Sequence, residues 1–341
     1  MNLQYYKLNF TTPLHIGSNK PGFESSEEII HSDTLFSAII NTWNKLYPQD
    51  MELFFNSQAG DEFVFPYFRL SSAFPYLESL LFFPRPLYRL NLPEDYEKEK
   101  PDLLKSLKDV KYISKDIFEK ILNGKILNID ENNITEDGKF LLEPNQIEDT
   151  ILFKKHDVPR ILKDRFSNET TPFYFTRTHY NINSGLFFIA EFKSQEWQDK
   201  FEAILRLLGD TGIGGDRSVG HGLFEVKGPQ NLDLDLDKTS NHFITLSLYH
   251  PNEKELESIL KSASYQLMER KGWVFAKRSK PLRRQTVRMF TESSIFNGSP
   301  DNYGNTVRVL KAMPQQGLDN DVYRYGQTIN LPIRLRGGAN G

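Results

Sequence analysis

Between Gly209 and Gly222 the sequence reads GDTGIGGDRSVGHG, six glycines within one short loop. Glycine reaches positive φ without strain and lets another backbone approach where a Cβ would collide. The context of this loop is as informative as its content. Ahead of it, QEWQDKFEAILRLLG (195–209) sets Trp197, Phe201, Ile204, Leu205 and Leu208 at helical spacing. Behind it, LFEV is strand-like. The loop therefore carries the chain from a helix into a strand. A P-loop needs G-x-x-x-x-G-K-[ST], and this stretch contains no lysine. A dinucleotide fingerprint needs the strand first and the helix after, and counted from Gly212 its third position falls on Arg217. No nucleotide cofactor is expected. What remains is Gly212-Ile213-Gly214, then GDRSV, then Gly220-His221-Gly222. Two readings stay open: a nest of N–H groups holding an anion near Arg217 and Ser218, or a tight connection whose glycines serve packing.

The rest of the chain frames that loop. LQYYKLNF (3–10) reads as a strand. HSDTLFSAIINTWNKLYP reads as a helix with Ser32 as N-cap and Asp33 in the first turn, and with Leu35, Phe36, Ile39, Ile40, Trp43, Leu46 and Tyr47 in one stripe. FVFPYFRL and SLLFFPRPLYRL are extended segments broken by prolines, and 94–149 is a charged insertion with short helical patches such as DIFEKILNG. TTPFYFTRTHYNINSGLFFIAEF (170–192) reads as two strands joined as a hairpin through Asn181–Gly185. NLDLDLD (231–237) reads as an acidic linker or edge strand. A second cycle then starts: HFITLSLYH as strand, and PNEKELESILKSASYQLMER as helix. Asn252 and Glu255 make its capping box, and Leu256, Ile259, Leu260, Ala263 and Leu267 its apolar face. The expected class is α+β: two tandem ferredoxin-like (RRM-like) domains with an insertion in the first. The expected bounds are 1–237, with the insertion at about 85–170, and 238–341.

Charge points to a partner. The net charge of −3 hides a segregation: from Arg270 to the end there are 13 Lys and Arg against 4 Asp and Glu. RKGWVFAKRSKPLRRQTVRMFT (270–291) carries eight basic residues and no acid, interleaved with aromatics and Val. Such a run fits a polyanion. With no cysteine, disulfides, thiolate metal sites and a thiol nucleophile are excluded. No H-x-H, H-E-x-x-H or D-x-D-x-D-G pattern occurs, so no metal is expected. No secretion signal or membrane span is visible, and a cytoplasmic location is expected.

FTTPLHIG (10–17), SDTLFSAI (32–39), the glycine loop and VYRYG (322–326) together carry a resemblance. They resemble the RAMP superfamily of RNA-binding CRISPR proteins, and within it the group that caps the crRNA 5′ end in type III-A Csm complexes. The resemblance implies a non-catalytic scaffold that binds the repeat-derived 5′ tag. It also implies contact with the large Palm-domain subunit and with a backbone RAMP subunit of the filament, and a protruding hairpin somewhere within 85–185. The RNA-binding candidates are His15, Gly17 and Ser32 in the N-terminal block. In the loop they are Gly212, Gly214, Arg217, Ser218, Gly220, His221 and Gly222. In the basic stretch they are Lys277, Arg278, Lys280, Arg283, Arg284 and Arg288, and in the last block Arg324 and Tyr325. Tyr323 and Tyr325 are candidates for base stacking and equally for strand positions in the second core.

The rival is a metal-independent RAMP endoribonuclease processing precursor crRNA, with His15, His179 or His221 moving protons. In that branch the glycine signature lies near the C-terminus. Here about 120 residues follow it, which favours the scaffold.

Overall fold

The computed structural model describes residues 3–17, 25–55, 60–135, 137–144, 146, 152–164, 166–274, 281–301 and 304–335. β1 (Gln4–Phe10) leads to α1 (Ser32–Leu46), and the chain returns through a split strand, β2 (Phe68–Leu70) and β3 (Phe74–Leu77). After a long excursion that includes β4 (Phe153–Lys163) and β5 (Thr170–Tyr180), the unit closes with β6 (Ser184–Phe192), α2 (Gln195–Thr211) and β7 (Phe224–Asn231). The spatial order is β7, β1, β6, then β2 and β3, each antiparallel to its neighbour. Fourth, first, third, second, with both helices over one face, is the ferredoxin-like arrangement.

Burial on both faces explains the continuous apolar run LFFIA (186–190). Leu186, Phe188 and Ala190 pack under Trp43 of α1 and Phe201 and Leu205 of α2. Phe187 and Ile189 face the other way, into a core shared with the insertion and the second unit. The insertion is more than a surface appendage. Leu80–Pro84, Tyr112–Ser114 and Phe140–Leu141 extend the sheet to eight strands among the described residues. The helix Lys115–Leu122 buries Ile117, Phe118, Ile121 and Leu122 in the same shared core.

The second unit repeats the plan in reduced form. Its elements are β8 (His242–Thr245), α3 (Glu253–Ile259), β9 (Leu267–Arg270), β10 (Val287–Phe290) and β11 (Ile295–Asn297). They are followed by β12 (Thr306–Leu310), β13 (Val322–Tyr325) and β14 (Asn330–Pro332). β14, β8 and β11 lie in that order, and a bridge from Ser264 to Ile295 adds the segment ahead of β9. The hairpin β12–β13 occupies the place of a second crossover helix.

Three local expectations need correction. The helix expected over 251–270 is only α3 and one 3₁₀ turn, Leu260–Ser262. Its capping box forms, with both Asn252–Glu255 hydrogen bonds present. Beyond it, pairing of Ser264 with Ile295 and of β9 with β10 overrides the helical spacing. Leu256, Leu260 and Leu267 are consequently exposed, while Ile259 is in the core. Second, β5 and β6 are not partners: β5 pairs with β4, and β6 with β1 and β3. Third, Ser32 is the first helical residue and His31 takes the N-cap position; the Ser32 hydroxyl accepts instead from the Leu248 N–H at 3.0 Å. NLDLDLD runs as a linker after β7, with Leu232 buried and Leu234 and Leu236 packed on the shared core. Among the described residues no helix is long and apolar enough to cross a membrane.

Candidate nucleic-acid interface

β4 and β5 form a long arm. They pair in unbroken register from Phe153 opposite Tyr180 to Lys163 opposite Thr170. At its tip Asp164 Oδ1 accepts from the N–H groups of Phe166 (2.7 Å) and Ser167 (2.9 Å), and Asn168 sits at φ 57°. This is local turn chemistry that needs no core. The arm exposes Ile161, Leu162, Phe166 and Tyr174.

The foot of the arm stands on the glycine loop. The His15 ring stacks on Phe175 at 3.9 Å, and its Nδ1 donates to the Thr176 carbonyl at 2.8 Å. The Arg160 guanidinium lies 4.4 Å from the centre of the Phe175 ring. It also forks onto the Asp216 carboxylate, with Nη1 to Oδ1 at 3.2 Å and Nη2 to Oδ2. From the loop side the Gly215 N–H donates to the His15 carbonyl at 2.9 Å. Burial pushes the His15 imidazole below its usual value, against the pull of the Thr176 carbonyl and Asp216. The ring is therefore neutral at neutral pH, 6% exposed, and works as a joint.

The glycines make the joint possible. Gly212, Gly214 and Gly222 sit at φ 77°, 91° and 74°. A Cβ on Gly214 would lie 2.3 Å from the His15 carbonyl oxygen, and one on Gly222 2.0 Å from that of Ile213. Most of the loop's amides are used inward: Ile213 donates to Gly222, Gly222 to Pro13 and His221 to Asp216. Of the two readings of the loop, close packing therefore accounts for Gly212, Gly214 and Gly222. Only the crest, a 3₁₀ turn at Arg217–Val219 followed by Gly220, faces outward, with Arg217, Ser218 and Gly220 exposed.

Next to that crest the arm presents basic side chains. Alternation puts Lys154, His156, Arg177 and His179 on the same face as Phe175. The rings of His156 and His179 stand 5.2 Å apart. Burial, and then the neighbouring His156, Arg177 and His221, hold His179 below its usual pKa. His221 of the loop thus belongs to the same cluster. The nearest acids are spent: Asp216 on Arg160, and Asp157, on the opposite face, as acceptor for the Thr176 hydroxyl at 2.6 Å. Behind the arm Lys155, Lys111 and Lys139 surround Glu28 and hold its carboxyl below the usual range, against burial. Sequence reading singled out His179 and His221 but missed Arg160, Phe175, His156 and Arg177. The available signal was the length match of KKHDVPRILK to the strand at 170–180; Pro159 and the many charges concealed it.

The other candidates scatter. Gly17 is exposed at the edge of a bridge to Ser26. Ser32, Arg324 and Tyr325 are core residues, 0%, 6% and 1% exposed. Tyr325 stacks on Phe36 at 4.4 Å and its hydroxyl accepts from the Leu70 N–H, so no base reaches it. Arg324 is spent on Asp33. Tyr323 stacks on Phe55 at 5.2 Å. Arg283, opposite Trp273, and Arg288, opposite Glu269 in the β9–β10 ladder, are exposed, and Arg284 is half-buried. Lys277, Arg278 and Lys280 lie outside the described residues. Among the described residues no group of three or more His, Asp or Glu is placed to hold a metal ion.

A ferredoxin-like unit with a glycine-rich loop between its last helix and last strand defines a class, and comparison agrees. The RAMP superfamily model matches residues 7–225, and the chain belongs to that superfamily. The resemblance continues past the first unit: the model described as CRISPR Csm4 C-terminal domain matches residues 238–333. The CRISPR system Cms protein Csm4 of Thermococcus onnurineus is 28% identical over 91% of this chain and 94% of its own. That of Methanocaldococcus jannaschii is 24% identical over 98% of each. Among solved structures, a chain of a Csm3-Csm4 subcomplex of a type III-A CRISPR-Cas interference complex superposes with a TM-score of 0.62 at 20% identity, over 98% of this chain and 100% of that one. A chain of a Csm1-Csm4 cassette in complex with cA4 gives 0.61 at 22% identity, over 99% and 100%. The protein is thus a Csm4-like member of that superfamily.

Proposed function

We propose that this protein is a non-catalytic RNA-binding scaffold subunit of a type III-A Csm ribonucleoprotein. It binds the 5′ tag of crRNA, anchors the large subunit, and joins a backbone RAMP subunit. The observation that carries the RNA reading is the basic face shared by the arm and the loop crest, where Lys154, Arg177 and Arg217 supply the positive charge and His156, His179 and His221 stand among them. Such a face holds phosphates and sets register. The exposed aromatic residues of the arm, Phe166 at its tip and Tyr174 opposite Pro159, offer surfaces for unstacked bases. Relatives solved with Csm3 and with Csm1 support the assembly role.

Tagged crRNA and a scrambled-tag control are titrated at several salt concentrations, and the RNA is then run on a denaturing gel. The expected outcome is tag-selective binding with intact RNA. Arg217→Ala with Arg177→Ala should weaken binding and lower the salt slope by about one phosphate contact each. Unchanged affinity and slope would place the RNA elsewhere. A discrete cut would return the assignment to the nuclease and make His156, His179 and His221 the first substitutions.

A further inference from the structure

At the N-terminus of α1 three arginines of the second unit converge on one carboxylate. Arg270 grips Asp33 as a fork, Nε 2.9 Å from Oδ2 and Nη2 2.8 Å from Oδ1, and also donates to the Thr34 hydroxyl at 2.9 Å. Arg324 pairs with the same carboxylate and donates to the Lys271 carbonyl at 3.3 Å. Arg284 stands beside them. Its backbone N–H donates to the Gly272 carbonyl at 3.0 Å. Among the described residues its guanidinium has no carboxylate or carbonyl partner, and its Nε is a buried donor without an acceptor. One more such donor lies in the same cluster, Nε of Arg324, and Nε2 of His31 is likewise without a partner, a donor when the ring is protonated; the two side chains are 6% and 4% exposed. The charge of His31 is answered separately by Glu292, 2.8 Å from its Nδ1.

Three guanidinium groups thus gather around one directly paired carboxylate, with Glu292 and Glu27 acting on Arg270 from farther off, at a helix end whose dipole adds further positive charge. A buried cation without a counter-charge is expensive, and water satisfies a donor without neutralising it. Asp33 is already shared between two arginines. The surplus belongs to the third arginine, which is half-buried.

We propose that Arg270, Arg284 and Arg324 form an anion site at the junction of the two units, and that it takes a phosphate group. A tetrahedral oxyanion accepts from several guanidinium forks at once, whereas a planar carboxylate matches one. Inorganic phosphate and an RNA phosphodiester share this chemistry. The site is separate from the arm and the glycine loop, so its failure leaves the RNA reading of that face standing.

Thermal unfolding of the full chain is compared in phosphate and chloride at matched pH and ionic strength, with the ³¹P line width of added phosphate followed in parallel. The wild type should show a saturable rise in Tm and a broadened line. Arg284→Met should start at an equal or higher Tm in chloride, because it removes an uncompensated charge, and should lose both responses. Lys105→Gln, a change at an exposed lysine beside Asp102, should keep them. A 5′-hydroxyl RNA oligomer that abolishes the phosphate response identifies a backbone phosphodiester as the occupant. An undiminished response identifies the free ion. A Tm indifferent to phosphate beyond ionic strength, or Arg284→Met responding like the wild type, overturns the proposal. Should Arg284→Met not fold, an unbroadened line with the wild type does the same.

Discussion

Replacing Gly214 by alanine puts a Cβ 2.3 Å from the His15 carbonyl oxygen, on a residue held at φ 91°. The struck atom is backbone, and it already accepts the Gly215 N–H, so it has nowhere to retreat. The left-handed conformation alone costs an L-residue roughly 1–2 kcal/mol, and forcing volume into a packed site adds about 1–3 kcal/mol. A total near 4 kcal/mol corresponds to a fall in Tm of roughly 6 °C for a chain of this length. Gly220 is the internal control. It has nearly the same φ, 83°, but a Cβ there meets nothing within 4 Å. Gly220→Ala should bear only the conformational cost, about 1–2 kcal/mol or roughly 1–3 °C. Urea and thermal unfolding of the two variants measure the difference. Because His15 carries Phe175 and the arm, Gly214→Ala should also free the arm, read as faster proteolysis within 153–180. Equal destabilisation by the two substitutions would refute the claim that close packing against His15 is what the loop's glycine provides.

Asp33→Ala leaves Arg270 and Arg324 buried without their carboxylate and should cost about 3–5 kcal/mol, read in chemical denaturation. Burial would raise the Asp33 pKa, but Arg270 and Arg324 hold it well below the carboxylate range. Its contribution is therefore present above the unfolded value and is lost as pH falls through the folded one. His31 runs the other way. Glu292 raises its pKa against burial, so its contribution is complete below the unfolded value and disappears as pH rises through the folded one. His31→Phe should flatten that alkaline decline in stability. Arg160→Met removes the fork on Asp216 and the cation over Phe175; it should loosen the arm with little change in global Tm, and a change in Tm as large as that of Gly214→Ala would show that the arm is part of the cooperative core.

The elements that read true from sequence have local causes. The stripes Leu35-Phe36-Ile39-Trp43 and Phe201-Ile204-Leu205-Leu208 are set by helical periodicity and are buried as expected. The Asn252–Glu255 capping box is decided within four residues, and it formed. The order strand, helix, strand, strand, helix, strand in the first unit follows from those periods and gave the ferredoxin-like class. Where the chain's partner was distant, the same local rules misled. Helical spacing through Leu260 and Leu267 lost to pairing with residues near 290. VYRYG offered two tyrosines and an arginine for RNA, but tertiary contacts with Phe55, Phe36 and Asp33 claimed all three.

The glycine loop shows the division most directly. The sequence by itself determined that a backbone with positive φ and close contacts stood between a helix and a strand, and that no P-loop or dinucleotide site was there. Only the tertiary structure decided what those contacts were for. Gly214 and Gly215 meet His15, which lies 199 or more residues earlier in the chain, and His15 meets Phe175 on an arm that no periodicity announces. Basic side chains at 154–179 join those at 217–221 only because antiparallel pairing and that joint bring them to one face. Spacing along a chain records which residues share a turn or a strand. It does not record which distant strand supplies the opposite wall, and a binding face is made of both.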